Sequence, residues 1–208
     1  MHDIVVLAAD KPMERVLDRL LRRHESLGIR ELSVARPLTH PQRDGGVRTR
    51  GAELLTVQAG RCRHAIMVFD REGSGGDELS AEELERRGDE QLSATWGDRG
   101  KCIVIDPELD AWMWGSDAVL RQAVGWTSAE PVRQFVTRRR FELKGTKPVR
   151  PKEAMAAVLK EVRLPMSAAV YEEIADRISL KRCTDSAFGR LRVQLRSWFG
   201  GTSDASVG

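Results

Sequence analysis

The chain has 208 residues, a formal net charge of +3, 41% apolar and 31% charged side chains, which suits one α/β domain with or without a small appendage. No stretch approaches the roughly 18 apolar residues that a membrane span needs, and no basic segment followed by an apolar one reads as a signal peptide. Cys62, Cys102 and Cys183 are far apart and form no CxxC pair, which points to reduced thiols in a cytoplasm and away from disulfide-framework and zinc classes.

The first element is "HDIVVLAA" (2–9), a continuous apolar run that predicts a buried strand. In "KPMERVLDRLLRRHESLG" (11–28) Met13, Val16, Leu17, Leu20 and Leu21 recur at helical spacing, with Gly28 as the stop. "IRELSVARPL" (29–38) alternates and reads as a second strand. "THPQRDGGVRTRG" (39–51) has no period and reads as a long loop, functional or mobile. "AELLTVQA" (52–59) suggests a short helix, and "HAIMVFD" (64–70) is the third strand. Ser80 and Glu83 make a capping box for a helix over 80–96, which Gly88 weakens. "KCIVIDP" (101–107) is the fourth strand and "ELDAWMWG" (108–115) a short helix. Strands that alternate with helices predict a mostly parallel sheet covered on both faces.

Beyond about residue 116 no further strand is expected. Helices are expected near 116–124, 128–141, 151–162, 165–180 and 184–199, with a capping box at Thr127 and Glu130 and Pro151 at a helix start. The small polar tail 200–208 reads as disordered. The expected division is an α/β domain over 1–125, a basic helical extension over 126–199 and the tail.

Charge is unevenly spread. Residues 1–130 carry 18 Lys/Arg against 23 Asp/Glu, whereas residues 131–199 carry 16 against 7. The basic segment contains Arg138, Arg139 and Arg140, then Lys144, Lys147, Arg150 and Lys152. Such a run can hold a nucleic-acid backbone or an acidic partner, or can simply be a solvated helix face.

The acids cluster differently. Asp70 and Glu72 stand at the end of the third strand, and Asp106, Glu108 and Asp110 at the end of the fourth. Ligands of open parallel sheets sit beyond the carboxyl ends of the strands. Carboxylates crowded there raise each other's pKa unless a positive group intervenes, and Mg²⁺ is the usual one. Residues i and i+2 of an extended segment point to the same side, so Asp70 and Glu72 can reach one ion. The glycines of "REGSGG" (71–76) allow a sharp turn and leave room for a phosphate. Turn capping by Asp70 and helix-dipole roles for Glu108 and Asp110 are the alternatives. No GxxxxGK[ST], GxGxxG or GxSxG motif is present, and the histidines at 2, 24, 40 and 64 form no ligand pair, which argues against nucleotide-triphosphatase, serine-hydrolase and zinc readings.

The strand–helix opening, "VFDREGSG" (68–75), "ELDAW" (108–112), "RPKEAM" (150–155) and "CTDSAFGRLRVQL" (183–195), in this order, resemble the small stand-alone TOPRIM-like proteins of bacterial phage-defence islands. The resemblance implies a TOPRIM-like sheet of about four mainly parallel strands with a helical C-terminal extension. It implies a cytoplasmic component of an antiviral system, with no membrane, that binds nucleic acid and cleaves phosphodiesters with Mg²⁺ held by Asp70, Glu72 and Glu108. Arg138, Arg139, Arg140, Lys144, Lys147, Arg150 and Lys152 then hold the backbone. The family places a Glu after the first strand; here that position is Ala8, and Asp10 is the nearest carboxylate able to substitute, ahead of Glu14. The other implied reading is a catalytically inactive scaffold that joins protein partners in a larger defence complex.

Overall fold

The computed structural model describes residues 1–201. Of the tail expected to be disordered, 202–208 lies outside the described residues. The centre is a four-stranded parallel sheet in the order β2-β1-β3-β4, formed by β1 (His2–Ala8), β2 (Leu38–Thr39), β3 (Cys62–Asp70) and β4 (Gly100–Ile105). Helices flank it on both faces, an arrangement compatible with a Rossmann-like fold.

Cover on both faces explains the unbroken apolar runs. Across β1 and β3, Val6 pairs with Ile66 and Leu7 with Met67. Val6 and Ile66 share a packing site with Leu17 and Leu20 of α1 (Lys11–Arg22) and Leu191 and Leu195 of α10 (Ser186–Phe199). Leu7 and Met67 meet α3 (Arg43–Thr56) at Gly51. Met67 and Cys102 meet α4 (Ala81–Trp96) at Gly88, where a Cβ would fall 2.5 Å from Cys102 Sγ. Gly88 is therefore a close-packing position rather than a weak point of its helix.

In the first half of the chain three expectations need correction. The segment 29–38 is extended along β1, but only Leu38 and Thr39 form a strand, with an isolated bridge from Ile4 to Val34. Pro37 has no N–H to offer a ladder. The presumed loop 39–51 is largely helix α3, which runs on through most of the expected short helix at 52–59. The helix expected from 11 to 28 breaks at Arg23 into α1 and α2 (His24–Leu27), closed by Gly28 at φ 74°.

The outer edge of β4 is occupied by side chains. Cys102 N donates to Asp89 Oδ1 at 2.7 Å and Val104 N to Glu85 Oε1 at 2.8 Å, both from α4. Arg190 of α10 donates to Val104 O at 3.2 Å and pairs with Glu85.

After β4 come α5 (Asp110–Met113), α6 (Asp117–Ala123), α7 (Val132–Arg138), α8 (Pro151–Glu161), α9 (Ala168–Arg177) and α10. The Thr127–Glu130 capping box is not used, because α7 begins after Pro131 and the residue before a proline avoids helical backbone. Strands do not stop at 116: β5 (Leu143–Lys144) and β6 (Lys147–Pro148) form a small antiparallel hairpin around Gly145. The change of charge near residue 126 marks no break in packing. One continuous core runs from Ile4 to Phe199 and takes in Val132, Phe135, Ile174 and Phe188.

Candidate functional site at the carboxyl edge of the sheet

The chain leaves β1 toward one edge of the sheet and returns to place β3 on the other side of β1. Such a reversal of strand order opens a crevice beyond the carboxyl ends, here those of β1 and β3. Asp10 follows β1 and Asp70 ends β3.

Asp10 caps α1, accepting from Met13 N at Oδ1 (3.0 Å). Asp70 Oδ1 accepts from Leu109 N (2.9 Å), so β3 is tied to the loop after β4. Asp70 N in turn donates to Asp44 Oδ1 (2.8 Å) in the first turn of α3. Glu108 and Asp110 are each only 5% exposed although both are acids. Tyr171 of α9 donates to Asp110 Oδ1 at 2.6 Å. The charges of Asp44, Glu108 and Asp10 all act on Asp70, and that of Asp110 on Glu108; of these acids only Asp44 was not singled out in the sequence.

The charges interact strongly. Burial, then Asp44 and Glu108, push Asp70 well above the ordinary carboxylate range, against the opposing Leu109 N–H. Burial and Asp110 push Glu108 up to about 7. Burial also raises Asp44 and Asp110.

The remaining acids behave differently. Glu72 lies beyond the end of β3 in an exposed turn, so strand alternation does not aim it with Asp70; its charge still acts on Glu108. Asp106 turns away to Arg71 at 2.8 Å. Glu14 is taken up by Lys11 at 2.5 Å. The turn after Asp70 is built as its glycines suggest: Gly73 and Gly75 have φ of 77° and 74°, and Arg48 of α3 anchors it by donating to Ser74 O (2.8 Å).

The basic residues do not form one open face. Arg138 pairs with Glu130 (2.9 Å) and Arg139 with Glu161 (3.0 Å), and both guanidiniums lie over Phe135. Lys147 pairs with Asp185 at 2.8 Å, and Arg150 lies 3.7 Å from Glu153. Among the described residues Arg140 and Lys144 have no carboxylate within 4.0 Å. Lys152 lies against Glu108 while its side chain stays largely exposed: its backbone N donates to Glu108 Oε1 (3.0 Å), and its Nζ stands 3.6 Å from Glu108 Oε2. Burial pulls the Lys152 ammonium down, but Glu108, Asp110 and Asp70 raise it overall.

The C-terminal segments interlock with the acidic edge. Trp112 Nε1 donates to Asp185 Oδ1 (2.9 Å), and its ring meets Phe188 edge to face at 5.5 Å. Trp114 Nε1 donates to Pro151 O at 3.3 Å. Both tryptophans are therefore packing residues.

The donors at the edge are all carboxylate oxygens, the chemistry a hard divalent ion prefers. Among the described residues no three His, Cys, Asp or Glu side chains converge into a ready ligand set, and the positive charge beside the acids is that of Lys152. The acids are oxygen donors of the kind Mg²⁺ takes, but among the described residues they do not converge as a ligand set.

The chain matches no protein-family model, no curated protein and no solved structure. Among the described residues no helix is long and apolar enough to cross a membrane.

Sequence reading missed Asp44 and the contact of Lys152 with Glu108. The signal for Asp44 was an acid in a first helical turn, hidden by the glycines around it.

Proposed function

We propose that the chain is a TOPRIM-like, nucleic-acid-binding component of a bacterial antiviral defence system whose acidic edge takes Mg²⁺ and acts on phosphodiesters. The observation that carries this reading is the gathering of Asp10, Asp44, Asp70 and Glu108, from four separate turns of the chain, around one crevice. Asp70, Glu108 and Asp44 would hold the ion, whose contribution when bound would be Lewis-acid chemistry toward a phosphodiester. The chain's own groups do the rest. Glu108 can hold or release a proton near neutral pH. Asp10 stands nearest the place of the absent first-strand Glu. Arg140 and Lys144 offer unpaired charge to a backbone.

A second reading, a catalytically inactive scaffold for protein partners, is favoured by Ala8 and by the ammonium of Lys152 beside the acids. Thermal melts and cleavage assays separate the two. Millimolar Mg²⁺ or Mn²⁺ should raise the melting temperature of the wild type and not of Asp70→Asn. If purified protein also cuts DNA or RNA, Asp70→Asn should abolish cutting. Metal stabilisation without cutting supports the scaffold, and a melting temperature indifferent to both metals overturns the cation site.

A further inference from the structure

The amino ends of the strands form the other edge of the sheet, and arginines gather there. His2 pairs with Cys62 and Ile4 with His64, so Asp3 of β1 and Arg63 of β3 are neighbours, and the charge of Arg63 reaches Asp3. His2 N donates to Arg61 O at 2.9 Å. Arg99, just before β4, donates to Arg63 O at 3.0 Å. Arg30 grips both oxygens of Asp3, at 2.6 and 3.0 Å, and its guanidinium lies 5.3 Å from the centre of the Phe199 ring. Arg61 and Arg63 are exposed, and among the described residues Arg61, Arg63 and Arg99 have no carboxylate within 4.0 Å. The acids on these segments are Asp3, which is taken up by Arg30 and Ser33 N, and Glu31 and Asp98. Trp198, near the end of α10, lies on the same edge. Its Nε1 donates to Asp98 O at 3.3 Å, and its ring rests on His64 with centroids 4.6 Å and planes 34° apart. Trp96, Trp112, Trp114 and Trp126 are each 7% exposed or less, so Trp198 is the one tryptophan of five left part-exposed. Packing thus accounts for part of this ring only, and the rest meets water beside cations that no carboxylate neutralises.

We propose that this amino edge is a binding surface for single-stranded nucleic acid, with Arg61, Arg63 and Arg99 on its phosphates and one base stacked on Trp198. Charge complementarity selects a polyanion, and the ring selects its form: a duplex keeps the faces of its bases inside the stack, whereas a single strand offers them to an aromatic side chain beside arginines. The proposal takes its class of ligand from the nucleic-acid reading above. It needs nothing from the acidic edge, which lies at the opposite ends of the strands.

Fluorescence titration of the full chain at low salt tests this, with a thymidylate oligomer of about 15 nucleotides and a hairpin duplex carrying as many phosphates as probes. The single strand should bind more tightly than the duplex and quench tryptophan emission, because Trp198 is the ring within its reach. Trp198→Leu should bind about tenfold more weakly and lose the quenching, and Trp198→Phe, which keeps a ring, should recover most of the affinity. Replacing Arg61 and Arg63 together by Ala should lower the slope of log affinity against log salt by about 1.4, the value for two phosphate contacts on a single strand. Both arginines are exposed, so this variant tests the surface without touching the packing of Trp198 on His64. Affinity and salt slope unchanged in the arginine variant overturn the proposal. If binding is instead lost only when Arg140 and Lys144 are replaced by Glu, nucleic acid lies on the basic extension, and the wider reading stands without this surface. Preference for the duplex with tryptophan emission unchanged also overturns it. Absence of binding to either probe overturns both this surface and the nucleic-acid part of the wider reading.

Discussion

Glu108 carries a cost that its neighbours only partly offset. It is 5% exposed, lies beside Asp110, and has its carboxyl pushed up to about 7 despite Lys152. A carboxyl raised in the folded state binds its proton more tightly there than in the unfolded chain. Between the ordinary value of 4.5 and about 7 the folded protein therefore holds more protons, and this group's contribution makes stability fall as pH rises through that window. Above it the penalty is complete. Glu108→Gln keeps an oxygen for Lys152 N and removes the charge. It should stabilise the protein by about 1–2 kcal/mol at pH 8 and flatten the pH dependence between 5 and 7. Urea unfolding at pH 5 and pH 8 measures both, and a Gln variant less stable than wild type at pH 8 would mean that the ion pair with Lys152 outweighs burial. A residue that destabilises its own fold in its charged form is what a site for cations or protons is expected to contain.

At the scale of elements, Asp185 joins three parts of the chain. It caps α10 through Phe188 N, accepts from Trp112 Nε1 after β4, and pairs with Lys147 on the β5–β6 hairpin. Asp185→Ala loses the cap and leaves the Trp112 N–H and Lys147 without their acceptor. It should cost about 2–4 kcal/mol, whereas Asp185→Asn, which keeps an oxygen for the cap and for Trp112, should cost about 1 kcal/mol. Chemical denaturation of the two variants gives the comparison, and equal losses would show that the Lys147 pair dominates. The sheet and most helices were legible in the sequence because apolar runs and helical spacing are local signals. Helix α3 was not. Gly45, Gly46 and Gly51 depress its intrinsic preference, and its packing depends on those glycines: a Cβ at Gly46 would meet His40 and one at Gly51 would crowd Met67 and Leu7. Asp44 was lost with it. Asp70 and Glu108 were readable as acids at strand ends. The turn of Lys152 toward Glu108 spans 44 residues, so no local pattern carries it.

Across the whole molecule, the +9 balance of residues 131–199 overstates the charge on offer, because Arg138, Arg139, Lys147 and Lys152 each have a carboxylate partner. If this side binds nucleic acid, Arg140 and Lys144 should carry most of the effect. Replacing both by Glu should weaken binding and lower the slope of log affinity against log salt by about 2, while Arg138→Ala should change the slope little. Fluorescence anisotropy over a salt series decides, and equal effects from both sets would mean that the ion pairs open on binding. The treatment of β4 bears on what kind of company the molecule can keep. Its outward N–H groups at Cys102 and Val104 are already engaged by Asp89 and Glu85, and at the opposite margin β2 has only two residues. Among the described residues neither margin of the four-stranded sheet offers the long row of unpaired backbone groups on which a foreign strand could grow. Fibril seeding, domain exchange through the sheet and capture of an extended peptide as a fifth strand are therefore disfavoured together. With assembly through the central sheet disfavoured, a partner that meets this sheet's flanks is recognised through side chains on helices and loops, and partner choice can change without touching the sheet.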